Sequence, residues 1–335
     1  MGLTIPPPVG GLLVAAAVLD FAIGDPFFRW HPVRLIGRSV STLESSLRRA
    51  GADGRIGGCA LVALVGSLWS GGVWALQVAT DAAHPIAGAG FHLVCVYFFL
   101  ALGDLLRHCD KVDLSGNDLA AARQATGKLV GRDTDRMDAA ACRRAAVESL
   151  AENLVDGFIA PVFWYALAGL PGLVLFKAVS TMDSMVGFRN ERYRLFGWCA
   201  ARSDDLLALV PARLGWLLIT LSALVVPKAA GRKACRVAWS QHGVVPGPNP
   251  GWSECAMAGA IRRRLVGPIW LAGDLVTETW VGDPADPPAE TSADYRLARR
   301  VALLAAAMAV LLATIGLLGS GSFVESQVWP VGDLA

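Results

Sequence analysis

The chain has 335 residues, of which 54% are hydrophobic and 17% charged, where an ordinary soluble domain carries about 25% charged residues. With a mean hydropathy of +0.47, these proportions exclude a disordered tail or a coiled coil and argue for an integral membrane protein over a soluble enzyme. The 30 basic and 28 acidic groups leave a formal charge of +2, too even for nucleic-acid binding, which needs a net basic face.

In chain order, residues 8–23 form a short apolar segment, read as a partial or interfacial helix. No Lys or Arg precedes Arg29, so a cleavable signal peptide with a basic n-region is not expected. A crossing of the bilayer core takes about 20 apolar residues. Stretches free of Asp, Glu, Lys and Arg meet that length at 56–80 (25 residues), 82–103 (22), 157–176 (20) and 301–324 (24). Segment 206–227 is a fifth, carrying Pro211 and Arg213, and 265–277 is a second short segment of the partial or interfacial kind. The spans at 56–80 and 82–103 are joined by a tight turn, Asp81-Ala82-Ala83-His84-Pro85.

Polar loops occupy 24–55, 104–153, 177–205 and 228–264. The first carries six Arg and the second eight Lys or Arg, while 81–85 carries none. The positive-inside rule therefore places both basic loops in the cytoplasm and the short turn outside. A simple crossing by 157–176 would leave Lys177, Arg189, Arg192, Arg194 and Arg202 outside. Gly169-Leu170-Pro171-Gly172 instead predicts a broken or re-entrant helix that returns to its own side, its freed backbone groups covered by protein. Segment 283–296, acidic and proline-rich, reads as a surface linker. The fold class is thus all-α: a polytopic helical bundle forming a single membrane-embedded domain over 1–335, in the cell (inner) membrane, with a broken helix and cytoplasmic polar loops. No repeat of transporter length supports an inverted-repeat carrier. The seven cysteines contain no CxxC pair, which leaves buried free thiols as their reading.

The acids and arginines carry the chemistry. Glu148, Glu152 and Asp156 fall at i, i+4 and i+8, so they share a helix face that runs into an apolar span. Like charges there need a cation, a metal or a basic partner. Asp133 or Thr134 is a candidate cap for that helix. In 177–205, Asp183 with Ser184, and Asp204 with Asp205, are hard oxygen ligands of the kind Mg²⁺ takes together with phosphates. Arg189, Arg192 and Arg202 are forks for phosphate or carboxylate. Near the N-terminus, Asp25 and Arg34 are the stronger functional candidates, and His31 beside Pro32 reads first as structural. Gly127-Lys128 resembles the end of a P-loop, but Leu129 follows and position 122 is Ala, so the Walker A pattern fails. The Pro246–Trp252 stretch is turn chemistry, followed by the small-residue helix Met257-Ala258-Gly259-Ala260.

Taken in order, these stretches resemble the adenosylcobinamide-phosphate synthases of cobalamin biosynthesis, the CbiB/CobD family. The resemblance rests on Gly24-Asp25-Pro26…His31-Pro32-Val33, Val130-Gly131-Arg132-Asp133-Thr134, Glu148…Ala151-Glu152-Asn153…Asp156-Gly157…Ala160-Pro161, and Lys177-Ala178-Val179…Asp183-Ser184-Met185-Val186-Gly187. It continues through Arg189-Asn190-Glu191-Arg192-Tyr193, Phe196-Gly197-Trp198, Asp204-Asp205, Pro211-Ala212-Arg213 and Pro248-Asn249…Gly251-Trp252, covering roughly residues 20–270. Each motif alone is weak; so many in one order are specific.

The resemblance implies a membrane-embedded ligase. It would join adenosylcobyric acid, a corrinoid, to aminopropanol phosphate or ethanolamine phosphate, with ATP as co-substrate, Mg²⁺ and an acyl-phosphate intermediate. Beside it, the candidate catalytic group is Glu148, Glu152, Lys177 and Asp183, with Asp183, Asp204 and Asp205 as candidate metal ligands. Substrate or phosphate binding falls to Asp25, His31, Arg34, Arg132, Asn153, Arg189, Asn190, Arg192, Arg202, Asn249 and Trp252, with Trp198 also packing on the corrin. The two amines differ by a methyl group, worth only about 1–3 kcal/mol of discrimination, which leaves no motif. Expected partners are these small molecules, the lipid bilayer and other membrane proteins of cobalamin assembly, with no nucleic acid. The alternative is a non-catalytic membrane sensor or regulatory relative of the same plan. A small-solute transporter fits less well, because the charges cluster at segment ends.

Overall fold

The computed structural model describes residues 9–325 apart from Phe27 and Asn117, so Pro8 and the ends of the expected 1–335 domain lie outside the described residues. The first apolar segment is helix α1 (Gly10–Ile23), followed by α2 (Pro32–Arg49), with Pro32 in its first turn and Arg48 and Arg49 in its last, as the helix dipole favours. Helix α3 (Arg55–Ala83) and α4 (Pro85–Phe99) form the expected hairpin. The turn residue His84 caps α4 by accepting the Ile86 amide at 3.2 Å.

Next come α5 (Leu102–Leu114), α6 (Leu119–Thr126) and α7 (Ala139–Leu154). The cap of α7 is Asp138, whose carboxylate accepts the Ala141 amide at 2.7 Å; it is neither Asp133 nor Thr134. A π-helical turn, Val155–Ile159, leads into α8 (Ala160–Val186). After α8 follow α9 (Trp198–Leu207), α10 (Leu209–Val225), α11 (Gly231–Gln241), α12 (Pro250–Ile261) and α13 (Ser292–Glu325). Among the described residues, Arg55–Ala83, Pro85–Leu114, Ala139–Val186 and Ser292–Leu318 are long and apolar enough to cross a membrane. The bent pair α9 and α10, meeting at 42°, makes a fifth.

The break expected in 157–176 is present. Gly169 adopts φ 62 and ψ −157 and Ala168 is also non-helical, a conformation essentially confined to glycine. A Cβ on Gly172 would stand 2.8 Å from the Trp164 carbonyl oxygen, whereas residues eight apart on a straight helix are about 12 Å apart. The two arms therefore touch and α8 doubles back. Pro171, which cannot continue the ladder, has its carbonyl bonded by the Ser70 hydroxyl of α3 at 2.9 Å. A neighbouring helix covers the freed backbone, as burial in lipid requires.

Two expectations are corrected. The polar segments are largely helical. In α2 the residues Ile36, Val40 and Glu44 repeat every four positions and are buried, so this surface element packs by an amphipathic stripe. Segment 265–277 is not a partial helix but strand. β1 (Leu265–Val266) pairs with β4 (Trp280–Val281), and β2 (Ile269–Leu271) pairs with β3 (Asp274–Thr277), both antiparallel. Ala272 and Gly273 between β2 and β3 both have positive φ, 53° and 88°, the two-residue turn that matches strand twist. Asp133 accepts both turn amides, at 3.3 and 2.7 Å. Segment 283–296 is likewise pinned down, Asp283 and Asp286 holding Lys233 at 3.0 and 2.7 Å.

Candidate active site

The doubled-back α8 returns Lys177 to the level of Asp156, so three charged stretches of sequence meet at one end of the bundle. Lys177 lies within the electrostatic reach of Asp156, Asp25, Asp204 and Asp20. Asp156, in the π-helical turn, lies within reach of Glu152, Asp204 and Asp183; such turns recur at functional sites. Asp20 is committed to structure, since its carboxylate accepts the Leu102 and Gly103 amides at 2.9 and 3.1 Å and so caps α5. Asp25 meets the buried His31 ring at 2.7 Å, and His31 packs edge-on to Phe98, which fixes Asp25 at the site.

Two cavities open here. The first, about 720 Å³, is lined by Asp25, His31, Arg34, Asp104, His108, Lys111, Lys128 and Lys177. Arg34 and three lysines against two carboxylates suit a polyanion. The second, about 510 Å³, is lined by Arg132, Glu148, Glu152, Glu254, Thr277 and Thr279, with Leu129, Val130, Val266, Ile269 and Val276 as its apolar wall. The stretch 128–132 divides the two, Lys128 lining the first and Leu129–Arg132 the second. The ridge Glu148, Glu152, Asp156 runs from the second cavity toward Lys177 in the first.

Glu148 is fully engaged. One carboxylate oxygen pairs with Arg132 and the other accepts the Val266 amide at 3.0 Å. Arg144 donates to the Val266 carbonyl at 3.0 Å, so α7 grips β1 from both sides. Glu152 and Glu254 have no hydrogen-bonding or ion-pairing partner among the described residues. Burial, then the nearby Glu152 and Glu148 carboxylates, holds the Glu254 carboxyl well above the ordinary carboxylate range. These are desolvation and like-charge repulsion acting together.

Asp183 and Asp204 lie within electrostatic reach of each other and of Asp205. Among the described residues, no three His, Cys, Asp or Glu side chains converge to hold a metal ion by themselves. Mg²⁺ commonly takes one or two carboxylates and completes its shell with water and substrate phosphate, so this acidic group beside a cationic cavity fits that ion when it arrives with a nucleotide.

The structure thus gathers Asp25, His31, Arg34 and Lys177 around the first cavity and Arg132, Glu148 and Glu152 around the second; Asp183, Asp204 and Asp205 line neither, Asp204 lying within electrostatic reach of Lys177 and of the other two. Other expected site residues lie elsewhere. Arg192 pairs with Glu44 at 3.1 Å, and the Asn190 side chain accepts the Tyr193 amide at 3.0 Å. Arg189 is exposed on the same connecting loop, and Arg202 pairs with Asp205 at 3.1 Å. The Asn153 amide donates to Ser149 one turn back. Asn249 spends its amide on Arg213 and the Asp205 carbonyl, both at 2.8 Å, cross-linking α9, α10 and the start of α12. Trp252 is buried in an aromatic cluster, stacked on His242 at 3.9 Å and beside Trp216, and Trp198 packs under Arg55. None of these lines either cavity.

Sequence reasoning missed Asp104, His108 and Lys111, although their i, i+4, i+7 spacing marks one helix face. It passed over Lys128 once the P-loop pattern failed, and it missed Glu254, a lone acid among small apolar residues that no spacing rule flags.

The family described as CobD/Cbib protein matches residues 13–304. The chain is 40% identical over 274 residues to the cobalamin biosynthesis protein CbiB of Salmonella choleraesuis (strain SC-B67), covering 80% of this chain and 85% of the relative. It is 38% identical over 308 residues to the cobalamin biosynthesis protein CobD of Geobacter metallireducens (strain ATCC 53774 / DSM 7210 / GS-15), covering 91% and 96%. No solved structure matches. On a match that takes in most of the chain, the protein belongs to the CobD/CbiB family.

Proposed function

We propose that this protein is a ligase of cobalamin biosynthesis in the cell membrane. It joins the carboxyl of adenosylcobyric acid to the amine of aminopropanol phosphate or ethanolamine phosphate at the expense of ATP. Family membership supports the pathway, and the observation that carries the chemistry is the first cavity, where Arg34, Lys111, Lys128 and Lys177 face a group of carboxylates. A carboxylate is a poor electrophile, and transfer of a phosphoryl group to it creates a leaving group. The lysines and Arg34 hold the phosphates in line and stabilise the charge that moves between them. Asp204 with Asp183 or Asp205 would hold a magnesium ion arriving with the nucleotide, which would supply further neutralisation of phosphate charge.

Lys177 is the most sensitive probe of this reading, since it lines the cavity and lies within reach of Asp156 and Asp204. Lys177→Met should lower corrinoid-dependent ADP release by about 10²–10³-fold, the scale of a lost donor to a developing charge. A variant that keeps wild-type ADP release would remove phosphoryl transfer from this cavity.

A further inference from the structure

The second cavity contains a buried group that phosphoryl transfer does not use. Glu254 is 6% exposed, lines the cavity and has no hydrogen-bonding or ion-pairing partner among the described residues. It stands on α12, whose following residues Cys255–Ile261 are apolar or small and buried, where an uncompensated carboxyl is costly. The charged groups that face it are Glu152 and Glu148 from α7, Arg132 from the stretch before α7, and Asp156 from the π-helical turn. Arg132 is already taken by Glu148. Among the described residues, Glu152 and Glu254 therefore face the cavity without an ion pair of their own, and Arg132, the cation within their electrostatic reach, is held by Glu148.

Resting on the ligase reading above, we propose that Glu152 and Glu254 receive the ammonium end of the amino-alcohol phosphate and take the proton it must lose before it can attack. An ammonium group brings the missing counter-charge and three N–H donors. While protonated, its nitrogen has no lone pair to offer. Once one proton has passed to the carboxyl pair, the nitrogen attacks the phosphate-activated carbonyl. The C–N bond forms, the C–O bond to phosphate breaks, and a second N–H proton leaves with the departing group as hydrogen phosphate. The apolar wall of the buried Val266 and half-buried Ile269 limits the water that competes for the activated carboxyl. The cationic cavity activates the acid and the acidic cavity prepares the amine, with the α7 ridge running between them.

The test uses the full-length protein in detergent with adenosylcobyric acid, Mg-ATP and one of two acceptors, aminopropanol phosphate or hydroxylamine. Hydroxylamine is uncharged near neutral pH, needs no deprotonation, and captures an activated carboxyl as a hydroxamate. Glu254→Gln should lower amide formation by about 100-fold or more, the contribution of a general base, while hydroxamate still forms. The KM for the amine should rise more at pH 7 than at pH 9, and Glu254→Asp should recover part of the amide rate. Wild-type amide rate and KM in Glu254→Gln overturns the proposal. So does an equal loss of amide and hydroxamate, which assigns Glu254 to the architecture of the whole site. Failure of the ligase reading has a different signature, a wild-type protein that yields neither ADP nor hydroxamate.

Discussion

Glu254 and Glu148 show how differently two buried carboxyls can behave. Glu148 has Arg132 and the Val266 amide, so its charge is answered on both oxygens and it serves to hold β1 on α7. Glu254 has neither, and its carboxyl is held well above the ordinary range by burial and by Glu152 and Glu148. A carboxyl whose folded pKa is raised stabilises the protein fully below its unfolded pKa, and that contribution is lost as pH rises through the folded value. Glu254→Gln removes this dependence. Its apparent Tm relative to wild type should climb as pH rises above about 4.5, the ordinary glutamate value. A Tm difference that stays constant from acid to alkaline pH would show that Glu254 ionises freely in the folded protein. Lys177 and Asp25 were legible in the sequence because each sits among other charges near the end of an apolar run. Glu254 was not, because what makes it notable is the approach of α7, more than a hundred residues away in the chain.

At the scale of elements, the broken helix is the feature most plainly written in the chain. Gly169-Leu170-Pro171-Gly172 combines a residue free to adopt positive φ, one that cannot donate, and one small enough for the arms to touch. Gly169→Ala places a Cβ on a backbone at φ 62 and ψ −157 and should cost about 1–3 kcal/mol, read as a lowered apparent Tm in detergent. An unchanged Tm would mean that the bend relaxes without glycine. The β-hairpin does not follow from apolar length, since a short apolar run such as 265–277 does not by itself distinguish strand from helix. Its real signals were Gly267-Pro268 and the Ala272-Gly273 turn, together with Asp133, which binds that turn from far along the chain. The π-helical turn at Asp156 has no sequence signature of its own, and it is this turn together with the bend that sets the acidic ridge against Lys177.

Across the whole molecule, composition sufficed for a helical membrane bundle, and the charge of the loops sufficed for its expected orientation. The doubled-back α8 makes that orientation consistent, since segments 24–55, 104–153 and 177–205 all contribute to one end. In a cysteine-free background, single cysteines at Ser45, Asp135 and Glu191 should resist a membrane-impermeant thiol reagent applied to spheroplasts, and one at His84 should react. Labelling at Glu191 from outside would mean that 157–176 crosses completely, separating Lys177 from the rest of the site. What neither composition nor charge revealed is the division into two cavities of opposite character, which depends on where 128–132 lies between α5, α7 and the hairpin.

The central claim is that these two cavities carry the halves of one reaction, and one measurement tests it most directly. Detergent-purified protein is given adenosylcobyric acid, Mg-ATP and each amino-alcohol phosphate in turn, and ADP and the corrinoid product mass are followed together. The expected result is that ADP and amide product appear in equal amounts, only when all three substrates are present, which also names the amine. A protein that binds the corrinoid but forms no product would contradict the claim and favour a membrane sensor.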